Sequence, residues 1–135
     1  MFLIGFPLLL IPFVIYNIFA FIFSLSDWNV TVTSVHIISG GEWKIAASDL
    51  LITLSILLLF VEIMKSTRVG TRGIVDHMLS MLLFIAMIVE FLLIERAATS
   101  TFFLMMVTAF VDVLGGFSVS IRTAQRDIGI DTVSN

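Results

Sequence analysis

Four apolar stretches, each long enough to cross a bilayer, occupy most of this 135-residue chain. They run over about 2–25, 46–64, 74–94 and 101–121. A membrane helix needs about 20 apolar residues, because about 30 Å of hydrocarbon is crossed at about 1.5 Å per residue. Hydrophobic residues make up 59% of the chain and charged residues 13%, and the mean hydropathy is +1.16. That leaves little sequence for a soluble domain. The runs are continuously apolar rather than alternating, so helices are expected and a barrel is not. The expected fold is an all-α membrane protein, a single domain over 1–135. Its four transmembrane helices form one bundle, both termini are cytoplasmic, and a short extracytoplasmic hairpin-like loop joins helices one and two.

The first run has no Lys or Arg before Lys44 and no small-residue cleavage site after it. It reads as a retained anchor rather than a signal peptide. Lys65, Arg68 and Arg72 lie between helices two and three, and Arg122 and Arg126 follow helix four, whereas only Lys44 and Arg96 fall on the other side. This asymmetry places both termini in the cytoplasm by the positive-inside rule, with Trp28 and Trp43 at the outer interface. The chain has no cysteine, which excludes disulfides and thiolate chemistry. A net charge of −3 without a basic run argues against nucleic acid.

Within helix one, Pro7 and Pro12 are expected to kink the helix, and Asn17 to bond a neighbouring helix. The loop 26–45 alternates over Trp28–Thr33 and carries the turn signal Gly40-Gly41, which suggests a hairpin or extended lid. Asn29-Val30-Thr31 matches a glycosylation pattern by chance, and His36 reads as a solvated loop residue. The basic turn 65–73 suits anionic headgroups. Glu95-Arg96-Ala97-Ala98 is tight enough to make helices three and four antiparallel neighbours. The tail 123–135 reads as an interfacial extension or disorder. The two helical hairpins do not match each other, which argues against an inverted-repeat transporter.

Ionisable groups within lipid are costly and therefore functional suspects. Asp112 lies near the middle of helix four, and Thr108, Gly115, Gly116 and Val119 share its side. That small, polar face suits either a packing seam or a proton or cation site. Glu90 shares a helical stripe with Asp76, Ser80, Leu83 and Met87, as a hydrated path or a bundle interior would require. Glu62 aligns with Ser48 and Ser55 and reaches Lys65 at i+3. Asp76 complements the start of helix three, and His77 could relay protons beside it. The proton-path candidates are therefore Asp112, Glu90, Glu62, Asp76 and His77. The packing seam is Thr108, Gly115 and Gly116. No catalytic residue, metal or cofactor is expected; the two histidines, His36 and His77, fall on opposite sides and cannot jointly ligate a haem. Seven methionines and thirteen phenylalanines are explained by packing.

The stretches Leu54–Lys65, Asp76–Ser80 and Phe110–Phe117 through Arg126-Asp127 resemble small, uncharacterised four-helix inner-membrane proteins of bacteria. The resemblance implies a multi-pass protein of the bacterial inner membrane and brings no activity with it.

The leading expectation is a homo-oligomer that supports proton or cation movement through an interhelical polar seam, with the path between protomers. One rival is a non-catalytic accessory or assembly subunit of a larger membrane complex. The other is a small lipid- or quinone-modifying membrane enzyme, which the sequence disfavours because it offers no nucleophile–base pair. The partners common to the first two readings are the bilayer and other membrane protein, its own copies included.

Overall fold

The computed structural model describes residues 7–65 and 71–134, with side chains described over 7–65 and 74–118. It is mostly helical. A short helix α1 (Leu10–Asn17) continues as a π-helical turn over Ile18–Ile22, and a two-stranded hairpin follows, β1 (Thr31–His36) and β2 (Glu42–Ala46). Three long helices complete the chain: α2 (Ala47–Lys65), α3 (Thr71–Leu93) and α4 (Ser100–Ser134), with a 3-10 turn at Glu95–Ala97 between the last two. The spans Ala47–Lys65, Ile74–Leu93 and Ser100–Ser118 are each long and apolar enough to cross a membrane.

The long helices are packed inside out relative to a water-soluble bundle. Their buried positions include Ser48, Ser55, Glu62, Asp76, Ser80, Thr101, Thr108 and Asp112, whereas Leu57, Phe60, Leu82 and Leu92 are 60–72% exposed. Lipid explains the pattern: an outward leucine costs nothing there, and a polar group is better satisfied by a neighbouring helix. Ser55 and Thr108 donate to the carbonyls of Leu51 and Leu104, one turn back, so neither hydroxyl faces hydrocarbon unsatisfied. Helix α4 is central and packs against both α2 and α3.

The first apolar run departs from its expected form. Among the described residues its helix begins at Leu10, residues 2–6 of the expected span lying outside them, and ends at Ile22 instead of about 25. Pro12 therefore sits in the first turn, where a missing N–H costs no intrahelical bond, so it starts a helix rather than kinking one. Ser24, with φ +55°, closes the other end: beside it the N–H of Leu25 returns to the carbonyl of Phe19 at 2.8 Å.

The expected hairpin is present. Val35 pairs with Trp43 and His36 with Glu42, and a bulge interrupts the register between Thr31 and Thr33. Gly40, with φ +94°, takes the left-handed position of the turn. Helices α3 and α4 are adjacent, as the tight Glu95–Ala98 connection predicts. The bound of the last helix differs from its sequence reading: α4 continues to Ser134 instead of stopping near 121, so the tail extends the helix. Thr123-Ala124-Gln125-Arg126-Asp127 contains no proline or helix-stopping motif, so polarity alone does not end the helix. Of the basic residues expected in the inner turn, Lys65 is buried at the end of α2, whereas Arg68 and the side chains of Arg72, Val119 and the tail lie outside the described set.

Candidate functional site

Helix arithmetic brings three carboxylates within about 7 Å of one another along the bundle. Asp112 lies about 18 Å along α4 from Ser100, and Glu62 about 22 Å along α2 from Ala47. Asp76 lies about 25 Å along α3 from Leu93, counted back from the same hairpin end of the bundle. Their side chains turn inward, with Glu62 and Asp112 each 5% and Asp76 8% exposed. Glu62 Oε1 accepts from Lys65 Nζ at 3.1 Å and from the backbone N–H of Leu8 at 2.7 Å. The Ser80 hydroxyl is within reach of Asp112, which also lies within electrostatic reach of Glu62, Asp76 and Lys65. His77 stands at the edge of this group, half-buried, its ring stacked on Phe117 at 5.2 Å between centroids.

Glu90 belongs to the opposite end. The Asn17 amide is within hydrogen-bonding reach of its carboxyl and donates to the carbonyl of Phe13 at 2.9 Å. The second Glu90 oxygen, Oε2, has no hydrogen-bond partner among the described residues. Leu83, Met87, Met105 and Ala109, all buried, lie along α3 and α4 between Glu90 and the Asp112 group. The Asp76–Ser80–Leu83–Met87 stripe therefore faces inward as its spacing predicts, but it is interrupted by an apolar layer.

The seam residues line the inside of one protomer. Thr108 and Gly116 are buried, and a Cβ on Gly115 would meet Ile63 Cδ1 of α2 at 3.6 Å. The Asp112 face is thus covered by α2 and α3 of its own chain. Among the described residues, no three acidic or imidazole side chains converge closely enough to cage a metal ion.

Two features escaped sequence reasoning. One is the nearness of Ser80 to Asp112; its signal is that Ser80 is the one hydroxyl on the Asp76–Glu90 stripe. The other is a lock at the hairpin end built on Tyr16, the only tyrosine of the chain. Its ring stacks on Trp28 at 4.6 Å and meets Phe102 edge-on at 5.0 Å. Its hydroxyl bonds the carbonyl of Arg96 and Thr99 Oγ1. The Arg96 guanidinium in turn donates to the carbonyl of Ala20 and lies over the Phe21 ring.

Comparison with family models, with curated proteins and with solved structures finds no match to this chain.

Proposed function

We propose that this small membrane protein takes up and releases a proton at the Asp112 group and so supports proton movement across the bilayer. The observation that carries this reading is Asp112 itself. It is almost wholly covered at membrane depth, with a neutral hydroxyl and two further carboxylates within reach. A carboxylate in such a place needs a counter-charge, hydration or a proton. The Lys65 ammonium within reach of Asp112 is shared with Glu62, to which it is bonded. A proton fits the arrangement better than a metal cation, because among the described residues the side chains do not converge into a cage. His77, beside Asp76, is placed to pass protons toward the α2–α3 turn.

The apolar layer of Leu83, Met87, Met105 and Ala109 favours a gated site over an open pore. The charge asymmetry supports an orientation with that turn in the cytoplasm of a bacterial inner membrane. Because the seam closes within one protomer, self-association would use the outer faces of α2 and α3. The test is proton flux in reconstituted vesicles. Asp112→Asn should abolish it while leaving the assembled protein intact, and undiminished flux would overturn the reading. The accessory-subunit reading draws on the hairpin, where Ile38 is fully exposed and Trp43 is 51% exposed. Stoichiometric co-purification with a larger complex, without proton flux, would favour it.

A further inference from the structure

Two cavities at the hairpin end meet at Leu25. One is a groove of about 450 Å³ between α1, α2 and the base of the hairpin. Its walls include Ile15, Phe19, Trp28, Val32, Leu50 and Leu54, and every residue lining it is apolar. The other is a more polar pocket of about 490 Å³ lined by Ser24, Ser26, Glu95, Arg96 and Thr99, with Leu25 and Ala98 completing its wall. Both volumes are in the range of small-molecule sites. The polar pocket contains one exposed cation and one exposed anion adjacent in sequence, Arg96 and Glu95. It sits where three bilayer-spanning helices begin or end, and the groove runs from it along α2 toward the middle of the span, from Ala47 to Leu54, about 10 Å.

We infer that this paired cavity is a binding site for a zwitterionic glycerophospholipid. The head group sits in the polar pocket, with its phosphate on Arg96 and its ammonium on Glu95, and an acyl chain lies in the groove. The charge pattern selects the occupant. A guanidinium recognises phosphate through charge-assisted hydrogen bonds, and a carboxylate beside it repels a purely anionic head and receives an amine. The site is built in advance of any ligand. The Arg96 backbone carbonyl is fixed by the buried Tyr16, and its side chain is braced on Ala20 and Phe21. Trp28 forms part of the groove wall and is itself pinned by stacking on Tyr16. The inference is independent of the Asp112 group, which lies about 18 Å along α4 from Ser100.

Native mass spectrometry of the full chain, released from nanodiscs of mixed phosphatidylethanolamine and phosphatidylglycerol, tests it. The wild type is expected to retain phosphatidylethanolamine about tenfold over phosphatidylglycerol, as one charge-assisted contact allows. Glu95→Gln, on an exposed side chain, should abolish the preference while lipid is still retained. Val32→Trp, which fills the groove from an exposed position, should reduce retention of both lipids about tenfold. A circular-dichroism melt confirms that each variant is folded. Equal retention of the two lipids by the wild type, an unchanged preference in Glu95→Gln, or unchanged retention in Val32→Trp would each overturn the inference.

Discussion

The hydroxyl of Tyr16 donates to the backbone carbonyl of Arg96 at 2.7 Å, across 80 residues of sequence. This bond ties the first apolar segment to the α3–α4 turn, and through Trp28 and Phe102 it also holds the root of the hairpin against α4. Apolar surface gives no driving force between helices in lipid, so contacts of this kind and close packing hold the bundle together.

Tyr16→Phe keeps both ring contacts and deletes the hydroxyl. A loss of about 1 kcal/mol is expected, the ordinary cost of a hydrogen bond left unmade. Tyr16→Leu removes the stacking as well and should cost about 3 kcal/mol or more. Reversible unfolding in mixed micelles measures both. Equal losses for the two would show that the ring contacts add nothing beyond the hydroxyl bond.

The Glu62–Lys65 pair gives a second test. Both side chains are buried, at 4% and 7% exposure. Glu62→Gln takes the negative charge away from the ammonium and should cost about 3 kcal/mol. Adding Lys65→Met should recover most of that loss, because a matched apolar and neutral pair replaces a buried ion pair at little cost. A double variant no more stable than Glu62→Gln alone would show that the two charges are not coupled.

Gly115 faces Ile63 with room for one methyl group at ordinary contact distance. Gly115→Ala should therefore be neutral or slightly stabilising, since alanine is the better helix former. Gly115→Leu forces Ile63 aside and should lower the unfolding midpoint clearly. A damaging Gly115→Ala would mean that α2 and α4 approach more closely than this packing allows.

Orientation is tested with single cysteines in a chain that has none of its own. Thr33→Cys, on the exposed strand β1, should react with a membrane-impermeant thiol reagent in intact cells. Ser66→Cys should be protected until the cells are opened. The reverse pattern would invert the assigned topology.

The buried faces of the long helices were legible because lipid makes the rule strict. Asp76, Ser80, Leu83 and Met87 recur at helical spacing and all four turn inward. The hairpin was legible from Trp28–Thr33 and the glycine pair, since Gly40 occupies a φ that favours glycine. The form of helix one was not, because a continuous apolar run hides where a helix begins. Only the position of Pro12 relative to the first turn distinguishes a start from a kink. The meeting of Glu62, Asp76 and Asp112 was hidden by sequence separation, although counting residues back from the hairpin end puts all three within about 7 Å in depth. Covering of the Asp112 face by α2 and α3 depends on how three helices are arranged, which no single helix encodes.

The most direct measurement is infrared difference spectroscopy of the protein in lipid as the bulk pH is changed, comparing wild type with Asp112→Asn. Exchange of a proton at Asp112 predicts a carboxylic C=O band in the wild-type difference spectrum that is missing from the variant, with the amide bands of the folded bundle unchanged. Identical carboxyl spectra for the two proteins would contradict the account, because the group placed at its centre would then neither gain nor lose a proton.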